Sequence, residues 1–208
     1  MSNASDAPLR IIRPSGPKTE KTTQAEPTLL VSLTSNYNWL YNDHGTGSSM
    51  DVSVYRPAPS DSTFFIVGDY AQGNYNNPYG PSLIVKALND NPSNPLLKAP
   101  TGYSQVWNDH GSGGTYDGSF WYPVAPDGYV SIGCVCNGGY NPPVIPQYMC
   151  VRKDLTTSAQ GGPLIWNDRG SGANMDVSLY QIVDVPGTFV AQGNYNPLNT
   201  PVWKLKVS

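Results

Sequence analysis

The segment Trp107-Asn108-Asp109-His110-Gly111-Ser112-Gly113, followed by Asp117-Gly118-Ser119-Phe120-Trp121, occurs in three versions along this chain. Its counterparts are Tyr41-Asn42-Asp43-His44-Gly45-Thr46-Gly47 with Asp51-Val52-Ser53-Val54-Tyr55, and Trp166-Asn167-Asp168-Arg169-Gly170-Ser171-Gly172 with Asp176-Val177-Ser178-Leu179-Tyr180. In every version two aspartates lie eight positions apart, and successive versions are offset by 66 and 59 residues. Such self-similarity means that each unit is a supersecondary piece whose apolar face is completed by its neighbours. By length the 208 residues could form one domain or two. The repeats decide for one, over residues 28–208, divided at about 28–98, 99–158 and 159–208.

The units read as β structure. Glutamate, a good helix former, occurs only at Glu20 and Glu26, whereas Gly (21), Pro (20) and Tyr (14) are abundant and charged residues are only 13%. From Thr28 onward, short apolar or alternating segments are separated by Gly, Asn, Asp and Pro clusters. The first repeat offers Leu29 to Leu33 running on to Tyr41, then Asp51 to Arg56, Thr63 to Tyr70 and Ser82 to Leu88. Four such segments in each of three repeats predict a pseudo-threefold β-prism of three four-stranded antiparallel sheets. A β-trefoil is the alternative, and its units are usually shorter than these. In Asp51 to Tyr55, Val52 and Val54 point one way and Asp51, Ser53 and Tyr55 the other, which predicts one buried sheet face.

Residues 1–27 are polar and broken by Pro8, Pro14, Pro17 and Pro27, with Ile11-Ile12 as the one apolar pair, and read as a flexible N-terminal tail that could also dock a protein partner. The formal charge is −3, with +1 over the first 26 residues and −4 beyond, and no basic stripe, so nucleic acid is a poor partner. No apolar run approaches the roughly 20 residues of a membrane span, and the N-terminus lacks the apolar block of a signal peptide. A cytoplasmic or unconventionally released protein is expected. Three cysteines, Cys134, Cys136 and Cys150, fit reduced thiols packed in a core.

Several signatures occur in a fixed order: Trp-Asn-Asp-x-Gly-Ser-Gly, Asp-x-Ser-x-aromatic, Pro126-Asp127-Gly128-Tyr129-Val130-Ser131-Ile132-Gly133, Pro142-Pro143, and Cys150-Val151-Arg152-Lys153-Asp154-Leu155. Over roughly residues 38 to 207 the chain resembles the vacuolar protein sorting-associated protein 62 family of fungi and plants. The resemblance implies a β-prism-like module, one also seen attached to pore-forming proteins. Repeat one departs in having Tyr41 where the others have Trp.

Two repeated constellations are candidate sites. Asp43 with Asp51, Asp109 with Asp117, and Asp168 with Asp176 could supply hard oxygen ligands to calcium. The same residues could equally be turn builders, with Asn and Asp bonding backbone N–H groups and Gly supplying positive φ. The second constellation is Asn74-Tyr75-Asn76, Tyr140-Asn141 and Asn194-Tyr195-Asn196, each in a Gly-flanked loop followed by Pro. A loop Tyr with Asn neighbours suits the C–H face and hydroxyl rim of a sugar, and suits equally a lid packed over a sheet end. His44, His110 and Arg169 share one turn position, read as a tolerant surface site. No serine or cysteine is singled out as a nucleophile, and three near-equal copies argue against an active site. The expectation is a non-catalytic, lectin-like multivalent module without a required cofactor, binding glycans or glycoconjugates on a surface. A trafficking or interaction adaptor and a membrane-targeting accessory module are the alternatives.

Overall fold

The computed structural model of the protein describes residues 10–14 and 25–206. Strand accounts for 44% and helix for 2%, the latter a single turn at Lys153–Leu155. Each repeat builds an antiparallel three-stranded meander with its second strand in the middle. The first meander is Tyr37–Asn42, Ser53–Pro57 and Tyr70–Gln72; the second is Gly102–Asn108, Ser119–Val124 and Val135–Asn137; the third is Gly161–Asn167, Ser178–Ile182 and Val185–Gln192. A further antiparallel pair brackets each meander in sequence: Thr28–Thr34 with Ser82–Leu88, Leu97–Lys98 with Cys150–Arg152, and Thr156–Ser158 with Trp203–Leu205.

This corrects the expected three four-stranded sheets. The described residues form six smaller sheets of two to four strands, and none closes into the barrel that a trefoil requires. The physical reason lies in segments that leave their own sheet to bond another repeat. Thr63 to Tyr70, expected as one strand, and its counterpart in the second repeat, Gly128 to Cys136, are interrupted where Gly133 N–H donates to Val67 O, Asp69 N–H to Cys134 O, and Cys134 N–H to Phe189 O. Gly68 and Gly133 permit that approach, since a Cβ on Gly68 would stand 3.1 Å from Gly133 Cα. Likewise Leu29 to Tyr41 divides at residues 35–36 into strands of two different sheets.

The meanders share a device that aims their aromatic residues inward. A register irregularity inserts one extra residue in each first strand, Leu40, Val106 and Ile165, immediately before Tyr41, Trp107 and Trp166. A bulge of this kind bends a strand and redirects the following side chain. Those three rings are fully buried and converge: Tyr41 meets Trp107 edge-on at 6.2 Å, Trp107 meets Trp166 at 5.6 Å, and Phe120 stacks on Trp107 at 5.1 Å. Aromatic contacts of this geometry contribute about 0.5–1.5 kcal/mol each beyond their burial.

Val52 and Val54 point into this core as expected, but Ser53 and Tyr55 on the opposite face are buried too, so the middle strand is covered on both sides. An ion pair within the first repeat anchors the second through Cys136. Asp69, fully buried, accepts from Arg56 Nε at 3.1 Å and Nη2 at 2.9 Å, and also from Cys136 N–H at 2.8 Å. Within the stretch expected as a tail, Arg10–Ile12 pairs with Thr28–Thr34 and buries Ile12 in the core, because alternate residues of a paired edge strand face the sheet's apolar side. The rest of that expectation, over residues 1–9 and 15–24, lies outside the described residues.

Candidate functional site

Each repeated turn is assembled from local bonds. Asn42, Asn108 and Asn167 accept, through Oδ1, the N–H of His44, His110 and Arg169 at 3.1–3.2 Å. The first Gly of each Gly-x-Gly has φ between 85° and 92° and the second between 69° and 78°, conformations that cost a side-chain-bearing residue about 1 kcal/mol or more. The turn thereby folds the first aspartate inward. Asp43, Asp109 and Asp168 are only 2–3% exposed, while Asp51, Asp117 and Asp176, eight residues on, are at the surface.

The buried carboxylates are hydrogen-bond hubs. Asp43 accepts from Val52 N–H at 2.9 Å, from the Tyr75 hydroxyl at 2.9 Å and from the Trp166 indole at 2.9 Å. Asp168 accepts the equivalent set from Val177, Tyr195 and Trp107 at 2.8–3.0 Å. Asp109 accepts from Gly118 N–H at 3.2 Å; among the described residues Tyr41, which stands in the Trp position, gives it no bond, and the Tyr140 hydroxyl lies over both aspartates with its 3.0 Å bond to Asp117. Burial pushes the Asp43 carboxyl above the usual carboxylate range, against the pull of its three donors. Oxygens committed to N–H and O–H donors are poorly placed to ligate calcium. Among the described residues no group of three or more His, Cys, Asp or Glu could hold a metal ion.

The structure thus merges the two constellations that the sequence presents separately. Each loop tyrosine lies over its own repeat's pair of aspartates, and the turn residue read as a tolerant surface position stacks on its ring. His44 lies on Tyr75 at 4.1 Å, His110 on Tyr140 at 4.3 Å, and the Arg169 guanidinium on Tyr195 at 4.1 Å. The signal for these partners was their equivalence across repeats. Burial first, and then the hydrogen bonds to the aspartates, push all three phenols well above their ordinary range. The asparagines divide by role. Asn74 and Asn194 are spent within the loop, accepting from Gln72 and Gln192 side chains at 2.9 and 2.8 Å. Asn76, Asn141 and Asn196 are exposed, and their carbonyls tie down the loop.

The turns also clasp one another in a cycle. Thr115 N–H donates to His44 O, Asn174 N–H to His110 O, and Ser49 N–H to Arg169 O, at 2.7–3.0 Å. Every turn therefore receives a backbone bond from the next repeat, and the last from the first.

The sequence pattern of the vacuolar protein sorting-associated protein 62 family matches residues 28–193. Among solved structures, the crystal structure of GNIP1Aa from Chromobacterium piscinae is similar with a TM-score of 0.72 and 35% identity, over 82% of this chain and 34% of that one. The chain therefore spans about a third of the length of that protein. No curated protein is similar to it in sequence.

Proposed function

Because this chain belongs to the vacuolar protein sorting-associated protein 62 family, we propose that it is a non-catalytic binding module, lectin-like in chemistry, that presents related weak glycan sites on its three repeats. The observation that carries this reading is the recurrence of one surface constellation: a partly exposed tyrosine ring, an exposed carboxylate and an exposed asparagine amide. His44, His110 and Arg169 stack on these rings, and in this reading the exposed part of each ring takes the C–H face of a sugar, with Asp51, Asp117 or Asp176 and the neighbouring amide for its hydroxyls. The cyclic backbone clasp supports a pseudo-threefold prism arrangement, in which three linked sites raise avidity by effective concentration. Glycoconjugates on a surface are the partner such spacing suits. The 34% coverage of GNIP1Aa favours a second reading, in which a module of this type serves as the targeting part of a larger protein.

A glycan array with the intact chain tests the reading, together with two triple variants at Tyr75, Tyr140 and Tyr195. Tyr→Phe keeps each ring and removes its bond to aspartate, so glycan binding should persist while stability falls. Tyr→Ala removes the stacking face, and binding to immobilised glycan should drop by more than about tenfold. A folded triple Ala variant that binds every surface the parent binds, with unchanged affinity, rejects the lectin reading.

A further inference from the structure

The repeats are not equivalent everywhere. A cleft of about 360 Å³ lies between the first and third, with Tyr70, Tyr79 and Pro81 on one side and Pro163, Gln181 and Thr188 on the other. Its volume falls at the lower end of the roughly 300–1,000 Å³ of small-ligand sites. Tyr79 is the feature that breaks the repeat pattern. Counting from the loop tyrosine, Val144 and Asn199 hold its place in the other two repeats.

The walls are held before any ligand arrives. The Tyr37 hydroxyl donates to Gly80 O at 2.7 Å, fixing the loop that carries Tyr79, and Ser82 Oγ donates to Gly187 O at 3.1 Å, joining the two sides. Gly187 has φ +66°, and a Cβ there would stand 2.4 Å from Pro81 O, so the closure at this point requires glycine. A rigid cleft avoids the ordering cost that weakens binding by flexible loops.

The lining chemistry selects a ligand class. Tyr79 is 77% exposed, edge-on to Tyr70 at 6.5 Å, and its hydroxyl makes no hydrogen bond among the described residues. Gln181 offers an exposed amide. No Lys or Arg lines the cleft, and its one carboxylate, Asp184, is paired with Lys204. Phosphorylated or acidic ligands therefore find no cation in the lining. An aromatic wall and an exposed amide match a neutral ring with an apolar face and a polar rim.

We propose that this cleft is a single-copy saccharide site, separate from the three loop sites, that takes one neutral pyranose unit against Tyr79. The proposal rests on the glycan reading above but places its strongest subsite between repeats rather than on each of them. The test is an amide-resolved NMR titration of the full chain with methyl glycosides of glucose, galactose, mannose and N-acetylglucosamine as probes. For at least one probe, saturable shifts at Gly80, Gln181 and Gly187 are expected, weakened by about tenfold in Tyr79→Ala. Gln181→Leu provides a control on folding: its side chain is exposed in the lining, so the melt should hold while the shifts weaken. Shifts confined to the loops of Tyr75, Tyr140 and Tyr195, and unchanged by Tyr79→Ala, would overturn the cleft and leave the glycan reading standing. Silence of both regions toward all four probes would overturn both.

Discussion

Trp166 in the third repeat donates its indole N–H to Asp43 Oδ2 in the first, at 2.9 Å, and to Met50 O at 3.0 Å. Trp107 in the second repeat does the same to Asp168 and Met175 O in the third. At the remaining seam, Tyr41 of the first repeat faces the second with a buried hydroxyl that has no partner among the described residues. Aromatic-to-aspartate bonds therefore reinforce two seams, whereas the other relies on ring packing and on bonds made elsewhere, among them Thr115 N–H to His44 O and Cys136 N–H to Asp69.

This asymmetry predicts opposite outcomes for chemically similar changes. Trp107→Phe and Trp166→Phe each deprive a buried carboxylate of a donor and should cost about 1–3 kcal/mol, with any cavity adding to it. Tyr41→Phe deletes an unsatisfied buried hydroxyl and should be neutral or stabilising. Urea unfolding of the three variants decides, and equal losses in all of them would contradict the asymmetric ring.

The aspartates should rank by the number of donors they serve. Asp43→Ala strands the Val52 N–H, the Trp166 indole and the Tyr75 hydroxyl, and should cost more than about 2 kcal/mol. Asp109→Ala strands the Gly118 N–H but no indole, and should cost about 0.5–2 kcal/mol. If these are structural hubs, millimolar calcium should leave the melting temperature where a chelator leaves it. A calcium-dependent rise, abolished by Asp109→Asn with Asp117→Asn, would make them metal ligands.

Alkaline pH should destabilise the fold. Burial pushes the phenols of Tyr37 and Tyr103 up to about 12, and Tyr75, Tyr140 and Tyr195 are likewise raised. A group whose folded pKa exceeds its unfolded value, about 10 for Tyr, contributes stability that is whole below pH 10 and is lost as pH climbs toward 12. Tyrosinate absorbance should consequently rise together with loss of β-sheet circular dichroism. Full titration of every tyrosine in a still-folded chain would refute this.

The three thiols should be inert until the chain opens. All are buried, which pushes Cys134 up to about 12 and Cys150 up to about 11 and raises Cys136 well above its ordinary value. Ellman's reagent near pH 8 should label none of them in the native protein and all three in denaturant, since the thiolate is the reacting form.

Some of this architecture is written in short-range chemistry and was readable as such. The three repeats, the strand content, the apolar face of Val52 and Val54 and the Asn-Asp-x-Gly turn each depend on residues a few positions apart, whose periodicity and φ preferences act locally. Short strands such as Leu97–Lys98 and Thr156–Ser158 carry no such period, because their pairing partners lie some fifty residues away. The sequence presents the two aspartates of each repeat as equals. Only the bulge and turn, packed against the next repeat, bury Asp43 and expose Asp51. Similarly, Tyr75 and His44 read as unrelated surface residues until a loop some thirty positions downstream folds back over the turn. Local propensity settled which residues form the parts, whereas the contacts between repeats, fixed by close packing of bulky rings and by the need to satisfy buried donors and acceptors, decided which of those parts meet.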